Sequence, residues 1–170
     1  MQAIVVNDTN IFIDLLDIGL LDYFFQLPRE VHTTDFVMFE LSCNSQRDAV
    51  EIHQLTKHLH VASFDMNELS EIRNLQKVNN KTNASLTNSS VWYYAKRKGY
   101  ILLTGDSMLQ SSSMKDGVEV RDILYIFDKL VEEDILTPAV AAKRLEQLQM
   151  TTSRLPKDKI EKRIKSCGGT

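Results

Sequence analysis

Short, uniformly apolar runs alternate along this chain with longer stretches in which apolar residues recur every third or fourth position. Residues 3–6 are all apolar and meet polar Asn7 and Asp8 abruptly, as in a strand of a parallel sheet covered on both faces. From residue 11 to 27 the period lengthens. Ile11, Leu15, Ile18, Leu21 and Phe25 fall at helical spacing, Gly19 divides the stretch into two short helices, and Pro28 ends it. A brief strand over 31–33 follows, then a helix capped by Thr34 or Asp35 that runs through Glu40 to about residue 42. The pattern next predicts a helix over 47–57, a strand over 59–64 and a helix over 68–78 capped by Asp65. Residues 79–87 are polar and read as a loop. A helix over 88–98 closes at Gly99, and a strand over 100–104 ends in Gly105-Asp106. A short helix over 108–114, a strand over 118–121 and helices over 123–133, 138–150 and 156–165 complete the chain. Pro138 and Pro156 sit at natural first-turn positions.

Strands alternating with helices imply an α/β fold with a parallel sheet and right-handed crossovers. The 170 residues suit one α/β domain over 1–134, with a helical extension over 135–170 packed on it. The net charge of −3, from 20 Lys+Arg against 23 Asp+Glu, gives no whole-chain footprint for nucleic acid. Any such partner must be argued from local sites. Cys43 and Cys167 lie in no metal-ligand spacing and read as the reduced thiols of a cytoplasmic protein. The opening residues lack the basic flank and apolar length of a signal peptide, and no window is apolar over a bilayer's thickness, so no membrane partner is expected.

Three acids stand where packing alone does not explain them. Asp8 and Asp106 each follow an apolar strand directly, at the sheet edge where open parallel sheets bind ligands, beside the point where strand order reverses. Two carboxylates brought there on separate strands repel each other unless a cation lies between them; the plainer reading is that each caps the helix that follows. That placement predicts strand order 3-2-1-4-5, with the strands ending at Asn7 and Gly105 adjacent. Glu40 shares a helical face with Phe36 and Val37, and a carboxylate buried on an apolar stripe needs a partner. A basic residue elsewhere, or an exposed helix face, is the plainer account. Asn88 lies near the start of a helix, where capping alone explains it.

Taken together these stretches resemble the PIN-domain family of metal-dependent ribonucleases, which includes toxins of bacterial toxin–antitoxin pairs. Asp8-Thr9-Asn10 looks like the family's opening motif after strand one. Glu40 matches its helical Glu, and Thr104-Gly105-Asp106 its closing Thr-x-Asp. The chain from Gly117 through Arg163 resembles a branch with extra C-terminal helices. The resemblance implies a PIN-like three-layer fold around a central parallel sheet. It also implies catalytic and metal-ligating roles for Asp8, Glu40 and Asp106, with Asn88 as a further ligand and Thr9, Asn10 and Thr104 orienting metal-bound waters. Mg²⁺ or Mn²⁺ is the expected cofactor, acting by lowering the pKa of a bound water and stabilising charge on the phosphate. One position departs from the pattern: family members carry an Asp where this chain has Asn88, within Ser85-Leu86-Thr87-Asn88-Ser89-Ser90. An amide oxygen coordinates a hard cation without contributing charge, so activity is in question. Asp122 is a candidate for the missing charge, with helix capping as the plainer role.

The leading expectation is therefore a divalent-metal-dependent endoribonuclease acting on RNA, with a small antitoxin and a second copy of the chain as candidate partners. A degenerate PIN domain that binds RNA or protein without cleaving is the alternative. Phosphoryl transfer through an aspartyl intermediate at Asp8 is a third reading, weakened because its motif wants an Asp at the position of Asn10.

Overall fold

A computed structural model describes residues 2–78, 84–152 and 154–168. Five strands form one parallel sheet in the order β3-β2-β1-β4-β5: β1 Ile4–Asn7, β2 Glu30–Thr34, β3 Leu59–Ala62, β4 Ile101–Leu103 and β5 Val120–Arg121. In register, Val6 of β1 lies beside His32 on one side and Leu102 on the other. The order reverses between β1 and β4, as the two acid-terminated strands predict.

Val5 and Val6 are both fully buried. Successive strand residues point to opposite faces, so both faces of the sheet are covered by helices. Helix α6, Leu86–Lys98, packs across β1, β2 and β4 and buries Val91, Trp92 and Ala95. Each fully buried Val or Leu of β1 and β4 contributes roughly 1.5–3 kcal/mol by leaving water. The C-terminal helices α9, Pro138–Thr151, and α10, Lys157–Ser166, place Leu145, Leu148, Ile160 and Ile164 in the same buried cluster as β1.

Most expected elements form, with shorter strands. The helix after Asn10 is α1, Thr9–Asp17, followed by the single turn α2, Leu21–Phe24, with Gly19 between them in the left-handed region at φ +68. Thr34 caps α3, Asp35–Glu40. The chain then runs through α4, Asn44–Leu55, to α5, Met66–Val78. Asp65 and Glu68 cap α5 reciprocally through each other's backbone N–H groups, both at 2.9 Å. The expected loop over 79–87 differs. Residues 79–83 lie outside the described ones, and α6 begins at Leu86 because Ser85 accepts the Asn88 N–H at 3.0 Å. Asn88 therefore sits in the first turn rather than at the cap. Helices α7, Ser107–Lys115, and α8, Ile123–Glu132, flank β5. Asp122 caps α8 by accepting the Leu124 N–H at 3.0 Å, the plainer of its two expected roles.

Candidate metal centre

The ends of β1 and β4 lie side by side, and the turns leaving them are clipped together. The Asp8 N–H continues the sheet by donating to the Leu103 carbonyl at 3.0 Å. Asn10, in the first turn of α1, then bridges both turns. Its Nδ2 donates to Asp8 Oδ2 at 2.9 Å, and its Oδ1 accepts the Gly105 N–H at 2.8 Å. A Cβ at Gly105 would stand 3.2 Å from that Asn10 oxygen, so the close approach of the two turns favours glycine.

Thr104 is wholly buried and works in both directions. Its hydroxyl donates to Asp8 Oδ2 at 2.7 Å and accepts the Asp106 N–H at 3.1 Å. Asp106 divides its own carboxylate. Oδ1 caps α7 by accepting the Met108 and Leu109 N–H groups at 2.9 and 3.0 Å, while Oδ2 accepts from the Asn88 amide at 3.2 Å. Capping and gathering at the strand ends are thus not alternatives for Asp106, since a different oxygen serves each. Asp8 behaves similarly, with Oδ1 accepting the Thr9 N–H at 2.8 Å.

Glu40 reaches the cluster from α3, where Thr9 Oγ1 donates to Glu40 Oε2 at 3.2 Å. The reason for its placement differs from the expected one. Glu40 is exposed and its neighbour Phe39 is 79 % exposed, so this end of α3 is no buried apolar stripe. The residue is the last of α3, and only Val37 of that helix is fully buried. Among the described residues no Lys or Arg pairs with Asp8, Glu40 or Asp106.

Asp8 is 2 % exposed. Burial pushes its carboxyl up from 3.8 to about 6, against the Thr104 and Thr9 hydrogen bonds that favour the charged form; the charges of Glu40 and Asp106 push it further up. While Asp122 caps α8, seven of the eight residues singled out in the sequence, Asp8, Thr9, Asn10, Glu40, Asn88, Thr104 and Asp106, thus belong to one connected cluster. Its donor atoms are oxygens and its formal charge is negative. That composition fits a hard divalent cation, and the charges of Glu40 and Asp106 add a smaller push to the rise that burial gives the Asp8 carboxyl. At Asn88 the amide nitrogen, rather than the oxygen, faces Asp106.

Two residues beside this cluster were not singled out in the sequence. Asp14, one helical turn beyond Asn10, is buried at 5 % exposure and hydrogen-bonds Arg154, from the connection between α9 and α10. The Arg154 Nε would lie 3.6 Å from a Cβ at Gly105, so this guanidinium borders the acidic cluster. An Asp on the apolar face Ile11, Leu15, Ile18 was a legible sign that a cation must meet it; which cation was not. By contrast, the basic end of α6 lies away from the cluster. Lys96 pairs with Asp116 at 2.6 Å, eight residues or roughly 12 Å along the helix from Asn88.

A family model described as a PIN domain (DUF3368) matches residues 4–169. No curated protein matches the chain. Among solved structures, VapBC2 from Rickettsia felis, bound to a DNA fragment from their promoter, is similar with TM-score 0.47 and 12% identity, over 70% of this chain and 98% of that one. FitAcB from Neisseria gonorrhoeae is similar with TM-score 0.43 and 13% identity, over 68% of this chain and 95% of that one.

Proposed function

Since the chain belongs to the PIN-domain family, with residues 4–169 matched, we propose that it is a divalent-metal-dependent endoribonuclease. The observation that carries the reading is the linkage of Asp8, Glu40 and Asp106 through Thr9 and Thr104 at the strand-order reversal, with no Lys or Arg paired to them among the described residues. Those carboxylates would hold Mg²⁺ or Mn²⁺. Such an ion supplies Lewis acidity toward a phosphodiester and activates water for in-line attack. The chain's own residues fix the acids. Thr104 and Asn10 hold Asp8 Oδ2, Thr9 steadies Glu40, and the α7 N-terminus holds Asp106 Oδ1. Arg154, at the rim beside Gly105, is a candidate contact for an RNA phosphate.

The test is cleavage of single-stranded RNA by metal-depleted protein with Mn²⁺ or Mg²⁺ restored, beside Asp106→Asn. Cleavage that needs the ion and is lost in the variant supports the reading. RNA binding without cleavage at any ion concentration favours the second reading, a non-cleaving PIN domain. A specific observation speaks for that alternative: the Asn88 amide nitrogen, not a carboxylate, meets Asp106 at 3.2 Å. An antitoxin partner rests on the family resemblance alone, and a small protein that binds this chain and blocks cleavage would establish it. Phosphoryl transfer through Asp8 has little support, because both oxygens of that buried carboxylate already accept hydrogen bonds.

A further inference from the structure

A second set of ligand atoms lies toward the opposite end of the strands. Glu30 opens β2 and His32 follows two residues later, so both side chains point to one face of the sheet. In the parallel pairing of β2 with the edge strand β3, His60 stands in register beside His32 and shares that face. Glu30 pairs with Ile4 at the start of β1, four residues before Asp8. At ~3.3 Å per residue the two sites are roughly 13 Å apart along the sheet.

The three side chains converge on one point. Glu30 Oε1 is 2.8 Å from His32 Nε2 and 3.5 Å from His60 Nε2, and one ligand atom from each residue lies within 4.8 Å of the others. A Glu–His hydrogen bond accounts for the first contact by itself. It does not account for the second imidazole, aimed at the same oxygen and stacked on the first with ring centroids 4.7 Å apart. The ring of His32 is also oriented from behind: its Nδ1 lies 2.8 Å from the Tyr94 hydroxyl of α6. Glu30 and His60 have side chains 42% and 55% exposed, which leaves a path from solvent, while His32 at 8% anchors the group in the fold.

We propose that Glu30, His32 and His60 form a zinc-class metal site that staples the edge strand β3 to β2, separate from the acidic cluster. Two imidazoles and one carboxylate are the ligand set of a borderline ion such as Zn²⁺ or Co²⁺, whereas Mg²⁺ prefers an all-oxygen site. Tetrahedral bonds of ~2.0–2.1 Å put ligand atoms roughly 3.3 Å apart. The Glu30–His60 separation of 3.5 Å is already close to that. The Glu30–His32 hydrogen bond of 2.8 Å opens by about half an ångström when the bridging proton gives way to the ion. That proton moves to the other ring nitrogen, so Nδ1–H donates to the Tyr94 oxygen, the outer hydrogen bond that metal-ligating imidazoles usually make.

The experiment uses full-length protein freed of affinity tag and metal, titrated with Zn²⁺ by calorimetry and with Co²⁺ by visible absorption. His60→Ala and Glu30→Gln change half-exposed residues, and folding of each is checked by its unfolding transition. A Glu40→Gln/Asp106→Asn double variant disables the acidic cluster as a competing site. The expected result is one Zn²⁺ per chain that raises Tm, survives in the double variant, and weakens by about tenfold or more in His60→Ala and in Glu30→Gln. Three results overturn the proposal: native protein binding no Zn²⁺ below about 1 mM, binding undiminished in His60→Ala, or binding lost with the acidic pair.

Discussion

Asp8 is the residue at which the account is most exposed to measurement, because burial, hydrogen bonding and like charge all act on it. Its folded-state carboxyl lies near 6 against an ordinary 3.8, burial being the largest cause. At about 1.4 kcal/mol per tenfold change in acidity, ionising it in the metal-free native state costs about 3 kcal/mol of stability. The sign is opposite to that of a salt-bridged Asp. The native state holds the proton more tightly, so this group's contribution is most favourable below about pH 4. It declines as pH rises from about 4 to about 6, and is fully lost above that. Urea unfolding in a chelator between pH 4 and 8, on native protein and Asp8→Asn, isolates the effect. The variant's altered hydrogen bonding adds an offset that does not vary with pH. Native stability should fall by about 2.5 kcal/mol relative to Asp8→Asn across this range, or roughly 5–10 °C in Tm for a chain of this size. Mn²⁺ at a hundred times its dissociation constant should restore about 2.7 kcal/mol at pH 8 and much less at pH 4. Parallel pH profiles for the two proteins would refute the reasoning, since they would mean that Asp8 does not titrate differently in folded and unfolded states.

Asn88→Asp places a carboxylate where an amide now donates to Asp106 at 3.2 Å. It should lower metal-free stability, increase the Tm response to Mn²⁺ by the equivalent of roughly tenfold to hundredfold in affinity, and raise RNA cleavage; an unchanged metal response would place Asn88 outside the centre. Thr104→Val removes a buried donor to Asp8 and the acceptor of the Asp106 N–H. It should cost about 1.5–3 kcal/mol and move the Asp8 transition to higher pH, so a transition at unchanged pH would count against the hydrogen bond. Arg154→Ala leaves Asp14 buried without its cation. Destabilisation by roughly 1–3 kcal/mol is expected for this half-exposed arginine, largely relieved by adding Asp14→Asn; additive effects in the double variant would show that the pair is not coupled.

The fold was legible because its two central strands are short, uniformly apolar and each followed at once by an acid. Burial on both faces and placement at the ligand edge are then stated locally, by Val5-Val6-Asn7-Asp8 and by Leu102-Leu103-Thr104 with its following Gly105-Asp106. Element starts were less legible. Either Ser85 or Asn88 offers a capping side chain, and in the fold it is Ser85 that accepts the Asn88 N–H. Glu40 was located by motif, but the physical argument for it failed, because periodicity cannot tell a buried helix face from the exposed end of a six-residue helix. What stayed invisible depends on pairings between distant segments. His32 and His60 meet only through strand register, and Arg154 finds Asp14 across 140 residues; neither spacing carries a pattern.

The central claim is that the carboxylates at the ends of β1, α3 and β4 hold a divalent ion, and locating that ion tests it most directly. Crystals grown metal-free and soaked in Mn²⁺ should give an anomalous-difference peak bounded by Asp8, Glu40 and Asp106, and that peak should vanish in Asp106→Asn. A saturating soak that leaves this position empty, or places the manganese only at Glu30, His32 and His60, would contradict the account.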